Sequence, residues 1–191
     1  MNNIRKEFTT LTIVLIPVAI AINIAVGTIV QRVGLPLYLD SIGTVLVGVL
    51  VGPWAGAVTG FLANVTWTVT GLFTEAVAWA GVAAIIGVLA SVFARSGWMA
   101  NWWRSIVAGL ITGVVAAILS APIAAYVFGG VTGTGTDALV AMFQTFGLDI
   151  LGANFAQGVI SDPFDKAATF LIVWAIMLGL PARFKARFSG E

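Results

Sequence analysis

The chain has no cysteine and no histidine. Their absence excludes disulfides, zinc or haem ligation, a thiol nucleophile and any histidine-based triad, and with them most hydrolytic chemistry. Charge is scarce too: 9% of residues are Asp, Glu, Lys or Arg, against roughly 25% in an average soluble protein. No basic cluster is long enough to form a nucleic-acid patch, so nucleic acid is not an expected partner. What fills the chain instead is apolar. At 60% hydrophobic residues over 191 positions, the composition places it in a lipid bilayer as an all-α integral membrane protein. The length suits one membrane domain, residues 1–191, with room for about six spans and their connections. The first apolar segment starts basic but lacks a small-residue cleavage pattern, so it reads as a retained span.

Hydrophobic runs and turn signals place the six spans at residues 10–30, 41–51, 54–71, 76–94, 105–128 and 163–180. Gly52-Pro53 separates the second from the third, with proline suited to the first turn of a new helix. Residues 137–160 are helical in composition but carry Gln144, Asp149, Asn154 and Gln157. Charge decides whether they cross, because cytoplasmic loops retain Lys and Arg. Six spans with both termini cytoplasmic put Arg5, Lys6, Arg95, Arg104, Arg183, Lys185 and Arg187 inside, seven of the nine basic residues. A seventh crossing would send the RFKARF tail outside, so 137–160 is expected to be an outer-side helix lying on or dipping into the bundle. Asp40, Glu75, Asp137, Asp149, Asp162 and Asp165 all fall toward the outer side. Acidic residues contribute little to topology, and a binding site open to the outside accounts for the asymmetry.

Small residues four apart let membrane helices approach closely. Gly52, Gly56 and Gly60 form such a row, and Gly109 and Gly113 another; both fit packing inside the bundle. On the first span, Ala21 and Ala25 fit internal packing and docking of another membrane protein equally well.

Polar residues at membrane depth are costly unless they face protein or a water-filled cavity. Asn64, Trp67, Thr68, Gly71 and Glu75 share one face of a helix by spacing, and Asn154, Gln157, Ser161 and Asp165 form a second line. With Tyr38 and Trp79 as flat walls, the two lines outline a pocket for a small organic molecule. An interfacial aromatic belt and helix-to-helix amide bonds are the alternative, and that alternative suits Trp98, Trp102 and Trp103. Asp40 before Ser41 is placed to cap the helix that follows. The shortness of the 41–51 span sets that carboxylate below the outer surface, with the connection 31–39 as a lid over a cavity. In SDPFDK, Asp162 reads as an N-cap with Pro163 at the first helical position and Asp165 completing a capping box, while Lys166 is free to pair with a neighbouring helix. Asp149, Asp162 and Asp165 could instead serve a magnesium-dependent membrane enzyme, a thin ligand set for that chemistry.

The stretch YLDSIGTVLVGVLVGPWAGAVTGFLAN, with DPFDKAATFLIVW and LPARF bracketing the last span, resembles the substrate-binding S components of energy-coupling factor transporters. The resemblance covers most of the chain and is weakest between Gly71 and Gly158. It implies a multi-pass protein of a prokaryotic plasma membrane that captures a vitamin or related micronutrient with high affinity and is not itself an enzyme. It also implies partners, namely a membrane coupling subunit and two ATPases, and matches Ala21 and Ala25 to the family's A-x-x-x-A docking motif. The substrate-binding residues expected on this reading are Tyr38, Asp40, Asn64, Trp67, Glu75, Trp79, Asn154, Gln157, Asp162 and Asp165, with no cofactor and no metal. The absence of G-x-x-x-x-G-K-[ST] agrees with energy supplied by other subunits. The absence of histidine argues against nickel or cobalt as cargo. Outer-side acidity and tryptophans favour a flat ring bearing hydroxyl or amine donors; a pyridine, pyrimidine or corrinoid compound fits, a multiply anionic one fits less well. A stand-alone channel or assembly protein built on the glycine rows is a further alternative.

Overall fold

A computed structural model describes residues 2–188; the ends of the expected 1–191 domain, residues 1 and 189–191, lie outside the described residues, as does the Arg5 side chain. The described residues form nine α-helices and no strand. They are α1 (Asn2–Glu7), α2 (Thr10–Val33), α3 (Ile42–Leu50), α4 (Pro53–Val69), α5 (Ala80–Arg95), α6 (Trp102–Phe128), α7 (Asp137–Thr145), α8 (Ile150–Gly179) and α9 (Ala182–Ala186). A 3₁₀ turn, Ala76–Trp79, runs directly into α5. Three helices are long and apolar enough to cross a membrane: Thr10–Val33, Ala76–Arg95 and Trp102–Phe128.

The second half departs from the expected spans. Residues 137–160 are not one outer helix: α7 stops at Thr145, and residues 150–160 belong to the same helix as 163–179. The helix start is at Asp149, whose extended backbone and side chain accepting from Gly152 N–H at 2.8 Å make it the N-cap. Asp162 and Pro163 therefore lie inside α8, and the expected cap and capping box there do not form. A proline can sit within a packed membrane helix because neighbouring elements compensate the lost bond, so its presence did not mark a boundary. Pro17 and Pro122 are likewise interior to α2 and α6.

The shortness of the helix at the expected second span has a physical explanation. At nine residues α3 is only about 14 Å long. All its residues but Val49 are buried, because it runs among α2, α4, α5 and α8. Asn23 of α2 fastens it: the Asn23 side chain accepts from Gly43 N–H at 2.7 Å and donates to Thr44 Oγ1 at 2.8 Å. Gly43 N–H is one of the unpaired donors at a helix start, so Asn23 acts as a cap supplied from another helix. Asn23→Ala is expected to lower stability by about 1–3 kcal/mol, the cost of a buried donor left unpaired, read as a lower melting point in detergent.

The glycine rows sit where helices touch. A side chain at Gly56 would meet the backbone of Gly87 and Gly48, and one at Gly60 would meet the Ala83 carbonyl, so α3, α4 and α5 meet backbone to backbone. Gly109 and Gly113 of α6 face the backbone of Lys166, Ala167, Asp162 and Pro163, along the most extensive helix pairing in the molecule. Gly52 sits against the carboxylate of Glu7. That carboxylate accepts from Trp54 N–H and Ala55 N–H at 2.8 and 2.9 Å, capping α4, and lies 3.6 Å from Arg95.

Candidate functional site

A cavity of about 110 Å³ opens among the helices at the end of the bundle where α2, α4 and α6 finish and α5 and α8 begin. Small residues hollow it out. On α6 the wall is Ala116, Ala117, Ser120, Ala121 and Ala124, and Ala83 faces it from α5. For comparison, an apolar cavity of about 150 Å³ takes up benzene, so this one is of the size of a single ring.

The polar wall comes mainly from one face of α8. Asn154, Gln157, Gly158, Asp162 and Lys166 recur at three- and four-residue steps and all line the cavity. Asn64 reaches it from α4. Two of these amides are oriented by their own helix: Asn64 Nδ2 donates to Gly60 O at 3.2 Å and Asn154 Nδ2 to Ile150 O at 2.7 Å. Gln157 Nε2 donates to the Tyr38 hydroxyl at 3.4 Å.

The connection between α2 and α3 covers this wall and is pinned to it. Asp165, fully buried, accepts from the backbone N–H groups of Tyr38 and Leu39 at 2.8 and 2.7 Å and pairs with Lys166. Lys166 also donates to Asp40 at 3.2 Å and Ser41 Oγ at 2.9 Å. Asp40 is thus an ion-pair partner in the cavity wall, and the expected cap does not form: the residue at the N-cap position is Ser41, with no side-chain capping bond. Leu39 holds a left-handed backbone, φ 48°, in the middle of this arrangement. From the other side the α6–α7 loop leans on the same connection, with Gly135 against the backbone of Gly34 and Leu35 and Gly133 O accepting from Gln31.

Hydroxyl groups complete the rim. Tyr38 donates to Thr136 at 3.3 Å, and Thr136, Thr134 and Thr132 follow at 2.7 and 2.9 Å, ending on the Asp137 carboxylate. These threonines were legible only as a Gly/Thr run; their alternate spacing, T-x-T-x-T before Asp137, is the signal that went unread. Trp79 lines the cavity and stacks between Phe73 and Phe128, with ring centroids 6.4 and 5.0 Å away.

Tyr38, Asp40, Asn64, Trp79, Asn154, Gln157 and Asp162 are therefore brought together around one space. Asp165 lies behind the wall as a clamp. Trp67 borders a separate void of about 30 Å³ between α2 and the connection, packed edge-on to Phe73 at 5.5 Å. Glu75 does not line the cavity, because α4 ends at Val69 and Gly71 turns the chain through a left-handed conformation, φ 71°. The shared helical face expected to run as far as Glu75 stops there. Ala21 and Ala25 are exposed on α2, on the outer surface of the bundle.

No protein-family model, curated protein or solved structure matches the chain.

Proposed function

We propose that this chain is the substrate-capturing membrane subunit of an uptake system of the energy-coupling factor type, carrying a small organic micronutrient into the cell. One observation carries the reading: a polar, aromatic-edged cavity at one end of the bundle, covered by the connection after the first long helix and pinned by the buried pair Asp165–Lys166. Arg95, Arg104 and the basic α9 lie toward the opposite end, the end set in the cytoplasm if Lys and Arg obey their usual asymmetry. On this arrangement the cavity faces outward, both termini are cytoplasmic and the bundle crosses six times, α3 and the Leu35–Asp40 connection together making the second crossing. The cavity volume narrows the substrate: a pyridine- or pyrimidine-sized ring fits, and a corrinoid does not.

The magnesium-enzyme reading has less support. Asp149 is exposed and engaged in capping, Asp165 is engaged by Lys166 and two amides, and among the described residues no group of three or more acidic side chains is gathered to hold a metal.

Coupling would use the exposed strip of α2. Ala21→Trp or Ala25→Trp is expected to leave the fold and ligand binding intact while weakening association with a co-expressed coupling subunit and ATPase pair at least tenfold, about 1.4 kcal/mol. Co-purification from membranes reads the effect, alongside equilibrium binding of a vitamin panel. Failure to recover any ATPase-containing complex, together with no vitamin bound, would overturn the proposal.

A further inference from the structure

We propose that the cavity selects a cationic, donor-rich ring and that the Asp162 carboxylate is its anchor, an inference that rests on the ligand-capture reading of the same cavity.

The partners that each polar group of the wall already has determine what a guest must supply. Lys166 is the only cation among the described residues lining the cavity. An ammonium has three N–H donors, and those of Lys166 meet Asp40, Ser41 and Asp165. Asp165 receives two backbone N–H groups and that ammonium. Asp137 receives Thr132 and Gly133. Asp162 differs: it is 6% exposed, it lines the cavity, and no hydrogen-bond donor among the described residues reaches its carboxylate. A carboxylate so deep and without a donor is costly. A guest carrying N–H groups and positive charge removes that cost, and hydrogen bonds to a charged group are the stronger kind.

The neutral groups on the wall point to the same chemistry. Asn64, Asn154 and Gln157 each already use one N–H of their NH₂ groups, on Gly60 O, Ile150 O and the Tyr38 hydroxyl. Because two of those acceptors are backbone carbonyls, the amide nitrogens of Asn64 and Asn154 are fixed on that side, leaving their carbonyl oxygens for a guest. The Tyr38 and Thr132 hydroxyls donate into the rim chain that ends on Asp137. Each of the three amides keeps one N–H against two lone pairs on its oxygen, so the unengaged capacity of the wall is weighted toward acceptors, among them one carboxylate that no hydrogen-bond donor reaches. Amidinium, aminopyridinium and protonated aminopyrimidine groups have the matching pattern, and an organic carboxylate has the opposite one.

Three compounds of one size and different charge test this: benzamidinium, benzamide and benzoate, titrated at neutral pH into the purified wild-type protein in nanodiscs and followed by ligand-detected NMR. Saturable benzamidinium binding at least tenfold tighter than either of the others, about 1.4 kcal/mol, is the expected result. Asp162→Asn should abolish that preference while changing benzamide affinity less than about twofold, and Asp162→Glu should retain it in part. Equal affinity for the three probes, a preference for benzoate, or a cation preference undiminished in Asp162→Asn overturns the inference. So does an absence of saturable binding by all three. The wild-type series decides the charge class even if a variant fails to fold. None of these failures touches the uptake reading, which stands or falls on the vitamin panel and the ATPase complex.

Discussion

Asp165→Leu is expected to destabilise the protein by about 3–5 kcal/mol, the range for breaking a buried ion pair by deleting one member. The substitution removes the acceptor of Tyr38 and Leu39 N–H and the closest partner of Lys166 in a single step. Lys166 itself is buried, and the Asp40 that remains to it is partly exposed and more distant, at 3.2 Å. Chemical denaturation in detergent would measure the loss. Amide hydrogen exchange at Tyr38 and Leu39 should rise toward that of an exposed loop. Asp165→Asn keeps an oxygen for the two amides but drops the charge, so its loss should be smaller and the two amides should stay protected. Asp149→Leu is the control, an exposed cap worth about 1 kcal/mol. If Asp165→Leu costs no more than that control, the clamp has no structural weight.

Gly113→Leu should have an effect at least as large. A Cβ at Gly113 would lie against the Asp162 carbonyl and Pro163 Cα, which are backbone and cannot rotate aside. Overpacking by a few methylenes among mobile side chains costs about 1–3 kcal/mol; here α6 and α8 must part along their longest contact, so more is at stake. The expected readout is loss of monodisperse protein on size exclusion and of any ligand binding, because Asp162 and its neighbours on α8 would be displaced from Ala117 and Ala121 on α6. Gly81→Leu on α5 supplies the comparison: that position has open space around it, and leucine is favoured over glycine in a helix by up to about 1 kcal/mol. Similar behaviour of the two variants would show that the close approach at Gly113 is not required.

The apolar runs made the all-helical, membrane-bound character legible, and the three- and four-residue spacing of polar residues disclosed the faces carrying Asn64, Asn154 and Gln157. Helix limits in the second half were not legible, because proline ordinarily breaks a helix and Pro163 does not. Its local signal, Asp before Pro and another Asp two residues later, is the same in a capped start and in a helix interior. What distinguishes them is α6, whose Gly109 and Gly113 admit the α8 backbone at that level. Lys166 illustrates a second limit. Its pairing was foreseeable in kind, but its three partners come from positions 40, 41 and 165, a convergence that no local pattern encodes. Glu75 lies beyond the end of α4 at Val69, where the turn at Gly71 takes it away from the cavity, while Trp67 is still within α4 and borders the smaller void beside α2.

Leu39 gives the cavity's cover a mechanical character. A left-handed backbone costs a residue with a Cβ about 1–2 kcal/mol, and here it directly follows two successive peptide N–H groups held by a single carboxylate. The strain at this one residue offsets part of the grip of Asp165, so detaching the connection from α8 takes less work than its hydrogen bonds alone would demand.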